Sequence, residues 1–101
     1  MAHEGLHEDR DDLDKRTVDY HRATVSLIEE LEAIDWYNQR VDACNNAELK
    51  AILAHNRDEE KEHASMLLEW IRRHDEALGH ELRDYLFTDK PIAGLEHEHK
   101  G

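Results

Sequence analysis

Apolar residues in this sequence recur at helical rather than strand spacing. Between Lys15 and Ala43 there is no Gly or Pro. Over that stretch Leu27, Leu31, Ile34, Tyr37 and Val41 fall on one stripe when the chain turns by about 100° per residue. A second uninterrupted stretch, Ala47 to His74, aligns Leu49, Ile52, Leu53, Leu67, Trp70 and Ile71 in the same way. Two long helices are predicted, each of about 28–30 residues and roughly 40–45 Å at 1.5 Å per residue. Cys44-Asn45-Asn46 breaks them, and Asn45 followed three residues later by Glu48 fits a capping box. So short a connection makes neighbouring helices antiparallel. Asp75 to Phe87 reads as a shorter third helix with Gly79 inside it, stopped at Thr88-Asp89-Lys90-Pro91. Residues 1–12 are expected to be a flexible arm and residues 92–101 a mobile tail. No alternating Val/Ile/Thr run argues for a strand. The fold class is all-α: an antiparallel two-helix hairpin plus a short C-terminal helix, in a single domain spanning 1–101.

Composition narrows the partners. The chain has 101 residues, with 13 Lys+Arg against 25 Asp+Glu and a net charge of −12. A charged fraction of 38% would suit disorder, but apolar positions ordered on stripes argue for packing. Strong negative charge disfavours nucleic acid and anionic membrane surfaces and favours cations. No apolar run approaches the roughly 18–20 residues of a membrane span, and there is no signal-peptide pattern. Cys44, the single cysteine, precludes an intrachain disulfide and suits a reducing cytoplasm. Two helices bury little apolar surface, so the hairpin is expected to associate with copies of itself.

Three polar residues interrupt the apolar stripes. Glu30 lies between Leu27 and Tyr37 on the first helix; Glu60 and His63 lie near the direction of Leu49 on the second. A carboxylate and an imidazole three apart on an apolar face are costly unless paired or bound to metal. Carboxylate-bridged di-iron sites in four-helix bundles take one Glu from each of two helices and a Glu-x-x-His from each of the other two. This chain carries half of that set, so two copies about a two-fold axis would supply the whole. The mixed carboxylate and imidazole donors suit iron or manganese better than zinc. Tyr37, on the stripe of Glu30, is a candidate to hydrogen-bond a ligating carboxylate.

Two further groups lie elsewhere. Glu29, Glu32 and Trp36 point away from Glu30 together with Val18 and Val25, on a face suited to a further partner. Glu29 and Glu32 are either a solvated face or a ring guiding cations inward. His55, Glu59 and Glu62 share one side of the second helix and could hold a surface metal; an exposed face with local hydrogen bonds is the plainer reading. His21, His74 and His80 carry no spacing that demands a role.

The runs HRATVSLIEELEAIDWYNQRVDA, ILAHNRDEEKEHASMLLEWIRR and LRDYLFTDKPI resemble the encapsulated ferritins, ferritin-like ferroxidases housed in encapsulin nanocompartments. The resemblance runs from about His21 to Ile92. It implies a hairpin that dimerises into a ferritin-like four-helix bundle, with five dimers forming a decamer ring. It implies a di-iron (Fe) centre on Glu30, Glu60 and His63 with Tyr37 nearby, an acidic approach group at Glu29 and Glu32 beside Trp36, and accessory metal binding at His55, Glu59 and Glu62. Fe(II) and O2 would be the substrates, and the location a cytoplasmic encapsulin shell. The family's short apolar docking tail has no counterpart in the closing LEHEHKG. The expected function is Fe(II) oxidation feeding mineral storage. One rival is a non-enzymatic dimeric metal-binding or delivery module; another is a helical assembly protein whose Glu and His are charge-paired in its core.

Overall fold

The computed structural model describes residues 5–100, and every regular element among them is helical. Residues 1–4 of the expected N-terminal arm and Gly101 of the expected tail lie outside the described residues. The helices are α1 (Lys15–Ala43), α2 (Ala47–Arg73), α3 (Glu76–Tyr85) and α4 (Leu95–Lys100), with 3-10 turns at Arg10–Asp12 and Ile92–Gly94. The chain forms two compact units, the first ending at Ile71 and the second beginning at Arg72.

In the first unit, α1 starts after an extended Asp14 and ends where the Cys44 backbone N–H donates to the Arg40 carbonyl at 3.0 Å. The Cys44-Asn45-Asn46 break is as expected, but the cap is one residue later. The Asn46 side-chain oxygen accepts the Leu49 N–H at 2.9 Å, so Asn46 rather than Asn45 satisfies a free donor at the start of α2. Glu48 consequently stands one position too early for a capping box. Contacts across the hairpin fix its sense. Arg57 donates to the Asn38 side-chain oxygen at 3.1 Å, and His63 lies 3.4 Å from Glu30. Residue numbers rise on α2 as they fall on α1, so the pair is antiparallel. The buried positions on the two helices include the small residues Ala23 and Ala64, which allow close backbone approach.

Ile71 is buried, but several large apolar side chains of α1 and α2 are exposed. Leu31 is 53%, Ile52 53%, Met66 60% and Trp36 52% exposed. Leu31 was expected on the inward stripe and Val18 on the outward face, yet Val18 is buried.

In the second unit, Asp75 caps α3 by accepting the Leu78 N–H at 3.0 Å. Gly79 is buried, and a Cβ there would stand 3.4 Å from the Arg72 carbonyl oxygen, so the small residue lets α3 approach that backbone. The helix ends at Tyr85, two residues short of the expected Phe87, which takes φ 61°. The segment expected as a tail carries helical structure. Pro91 opens the 3-10 turn, α4 follows in contact with α3, and Leu95 is only 2% exposed. Lys90 Nζ pairs with Glu98 at 2.7 Å across this segment.

Candidate metal centre

Glu30 reaches the site from the middle of α1, and Glu60 and His63 from successive turns of α2. One potential ligand atom from each lies within 4.8 Å of the others. His63 Nδ1 stands 3.4 Å from Glu30 Oε2 and 3.3 Å from Glu60 Oε1. Both exceed ordinary charge-assisted hydrogen-bond lengths, so the ring and the carboxylates face a common point without closing on one another. Glu30 Oε2 is buried and has no hydrogen-bond partner. Burial first, and the adjacent Glu60 carboxylate second, push the Glu30 carboxyl above its ordinary range; His63 opposes the shift.

An unpartnered buried carboxylate oxygen aimed at a second carboxylate and an imidazole is a costly arrangement for a metal-free chain. It fits a hard or borderline cation with oxygen and nitrogen ligands. His63 is nevertheless 43% exposed at its side chain, so three donors from one chain leave the site open on one side.

The other expected residues fall as follows. Tyr37 is half-buried, and its ring lies 5.4 Å from the Arg40 guanidinium carbon. Glu29 and Glu32 are exposed on α1, with Trp36 exposed nearby in sequence. His55, Glu59 and Glu62 are all exposed on α2, and their ligand atoms do not converge as those of the Glu30 group do. A second convergence was missed from sequence: His80, Glu81 and Asp84 on α3, with His80 Nε2 3.4 Å from Asp84 Oδ2. Its signal was the His-x-x-x-Asp spacing, one helical turn apart.

Two long antiparallel helices, the first bringing Glu30 beside the Glu60-x-x-His63 of the second, make a ferritin-like helical fold. The comparison with known proteins agrees. The chain belongs to the EncFtn-like family, which matches residues 5–89. It is 61% identical over 90 residues to the encapsulated ferritin-like protein of Rhodospirillum rubrum, covering 89% of this chain and 64% of that one. It is 50% identical over 95 residues to a ferritin-like protein of Thermotoga maritima, covering 94% and 83%. An encapsulin nanocompartment cargo protein, EncC of Myxococcus xanthus, is 50% identical over 51 residues, or 50% of this chain and 39% of that protein. Among solved structures, protein ne0167 from Nitrosomonas europaea superposes with a TM-score of 0.86 at 68% identity, covering 88% of this chain and 98% of the other.

Proposed function

We propose that the chain is a ferroxidase that oxidises Fe(II) with O2 at a di-iron site shared between two copies. The observation that carries this reading is the buried, unpartnered Glu30 Oε2 beside Glu60 and His63. Fe(II) is the substrate, each ion yielding one electron to O2 and leaving as Fe(III) for mineral storage. Glu30 and Glu60 would hold and bridge the ions, and His63 would offer Nδ1, the nitrogen that faces both carboxylates. Carboxylates gathered in a partly buried place stabilise Fe(III) more than Fe(II), which favours electron loss.

The open side of the site supports sharing between copies. On α2, Leu49, Ile52, Met66 and Trp70 are all large, apolar and exposed, and they lie along the stripe that carries His63. A second hairpin laid there would bury them and complete the ligand set. The decamer ring is the assembly proposed for these dimers. The outward Glu29 and Glu32, beside Trp36, are proposed to draw cations toward the centre, with His55, Glu59 and Glu62 as weak accessory ligands. By likeness to relatives named as encapsulated proteins and encapsulin cargo, the partner is an encapsulin shell and the location its interior.

Anaerobic titration with Fe(II), followed by admission of O2, tests the reading. Stoichiometric binding of one Fe(II) per chain and coupled O2 uptake are expected. Both should be lost in Glu60→Ala. Binding without O2 uptake would instead mark a metal-delivery module.

A further inference from the structure

The ring of His63 has a second nitrogen. Nδ1 faces Glu30 and Glu60, the side chain is 43% exposed, and Nε2 meets no acceptor among the described residues. An imidazole that ligates through one nitrogen is held in place by an acceptor at the other. One heptad earlier on the same stripe, displaced by only about 20° around the helix, lies Asn56. It is half-buried, and its side-chain amide makes no hydrogen bond among the described residues.

The sequence of this stripe is symmetric in polarity. Leu49 and Trp70, Ile52 and Leu67, and Asn56 and His63 each lie the same number of residues on either side of a centre between Glu59 and Glu60. Reading outward, polar residues are followed on both sides by two apolar ones. Leu49 and Ile52 on one side, and Trp70 on the other, are exposed. A stripe of this kind is complementary to its own reverse. Antiparallel self-pairing about the centre sets leucine and isoleucine against tryptophan and leucine, and sets Asn56 against His63.

We propose that the partner subunit's Asn56 accepts the Nε2–H of His63 across the dimer axis, making Asn56 a positioning residue for the metal ligand and a determinant of dimer register. The inference rests on the shared-site reading above, with a second copy of this chain as the occupant of the α2 stripe. A slide of one heptad, about 10.5 Å, would keep much of the apolar contact. It would also leave two buried amides without partners and separate the half-sites. A polar residue in an apolar seam fixes register by penalising such alternatives. Here its partner would be the ligand itself.

The test compares Asn56→Leu, which keeps shape without an acceptor, with Asn56→Asp, which keeps the acceptor. In metal-free protein labelled with 15N-histidine, the wild type should show a slowly exchanging His63 Nε2–H resonance. That resonance should be absent in Asn56→Leu and present in Asn56→Asp. Sedimentation equilibrium should show Asn56→Leu associating at least as tightly as wild type, while Fe(II) affinity falls about 10–100-fold. Mixing labelled Asn56→Leu chains with unlabelled His63→Ala chains should restore the resonance, because each surviving imidazole then faces an intact Asn56 in trans. Persistence of the resonance in Asn56→Leu, or failure of trans restoration in a mixed dimer that forms, overturns the proposal. If wild type shows the resonance and the trans effect yet binds no Fe(II), the contact stands and the ferroxidase reading fails.

Discussion

Replacing Glu30 by Gln should make the metal-free protein more stable at neutral pH. Glu30 Oε2 is buried without a hydrogen bond, with Glu60 beside it and His63 offering incomplete relief at 3.4 Å. Leaving a buried acceptor unpaired costs about 1–3 kcal/mol. The side chain as a whole is 23% exposed, which places the expected gain for Glu30→Gln near the lower end, about 1–2 kcal/mol. Each kcal/mol raises Tm by about 4–8 °C in a domain of this size.

The pH dependence gives the prediction its sign. The folded carboxyl titrates above the ordinary 4.5, so the folded state holds its proton more tightly than the unfolded chain. Below 4.5 Glu30 is protonated in both states and resembles Gln. As pH rises through the raised value, stability is lost in wild type and kept in Glu30→Gln. The assay is urea denaturation in chelator, at one fixed protein concentration, from acid pH to pH 7.5. The two proteins should converge in acid and separate toward neutrality. Saturating metal should reverse the order, since binding at 100 times Kd adds about 2.7 kcal/mol to whichever protein binds. A variant less stable than wild type at neutral pH, or a gap independent of pH, refutes the argument.

Other outcomes follow from the same structure. Glu60→Ala and His63→Ala should each abolish stoichiometric Fe(II) binding by anaerobic titration while circular dichroism keeps its helical signal, because the dimer axis would remove every ligand twice. Glu29→Ala with Glu32→Ala should slow Fe(II) oxidation in stopped flow at low salt and leave the saturating stoichiometry intact; unchanged kinetics would return both to a solvated face. Asn46→Ala should cost about 1 kcal/mol in urea denaturation through the lost Leu49 cap, whereas Asn45→Ala should cost almost nothing. Leu95→Ala should cost about 2–5 kcal/mol by the same measurement and expose the second unit to proteolysis.

Much of this was legible in the chain because helices announce themselves by spacing. The bounds of α1 agree with the absence of Gly and Pro and with the abrupt Cys44-Asn45-Asn46 break. Glu30 could be separated from its neighbour Glu29 because adjacent helical residues point about 100° apart, one into the apolar stripe and one out of it. What failed was whatever depended on a single side-chain choice or on distant packing. Two adjacent asparagines look equivalent as caps until one reaches the Leu49 N–H. Leu95 sits in an acidic tail with no local sign that it will become the most buried residue of its segment. Leu31 was placed inward by its stripe, but a stripe wider than one neighbouring helix leaves an edge uncovered, and Leu31 is on that edge.

That uncovered edge joins the fold to the proposed chemistry. The described chain has no buried charged residue, and its buried apolar side chains are few and mostly small. On α1 and α2, the helices that carry the two carboxylates and the imidazole, Leu31, Ile52, Met66 and Trp70 are among the large apolar residues left exposed. In the proposed dimer, apolar burial draws the chains together while a charge of −12 on each opposes it. Salt screens the outer charges over about 8 Å at physiological strength, but it acts far less on carboxylates gathered at a partly buried axis. That repulsion is the component of the assembly that a divalent cation relieves directly. Site occupancy and dimerisation are then one linked equilibrium: metal favours the paired state by mass action, and pairing supplies the ligands that metal requires.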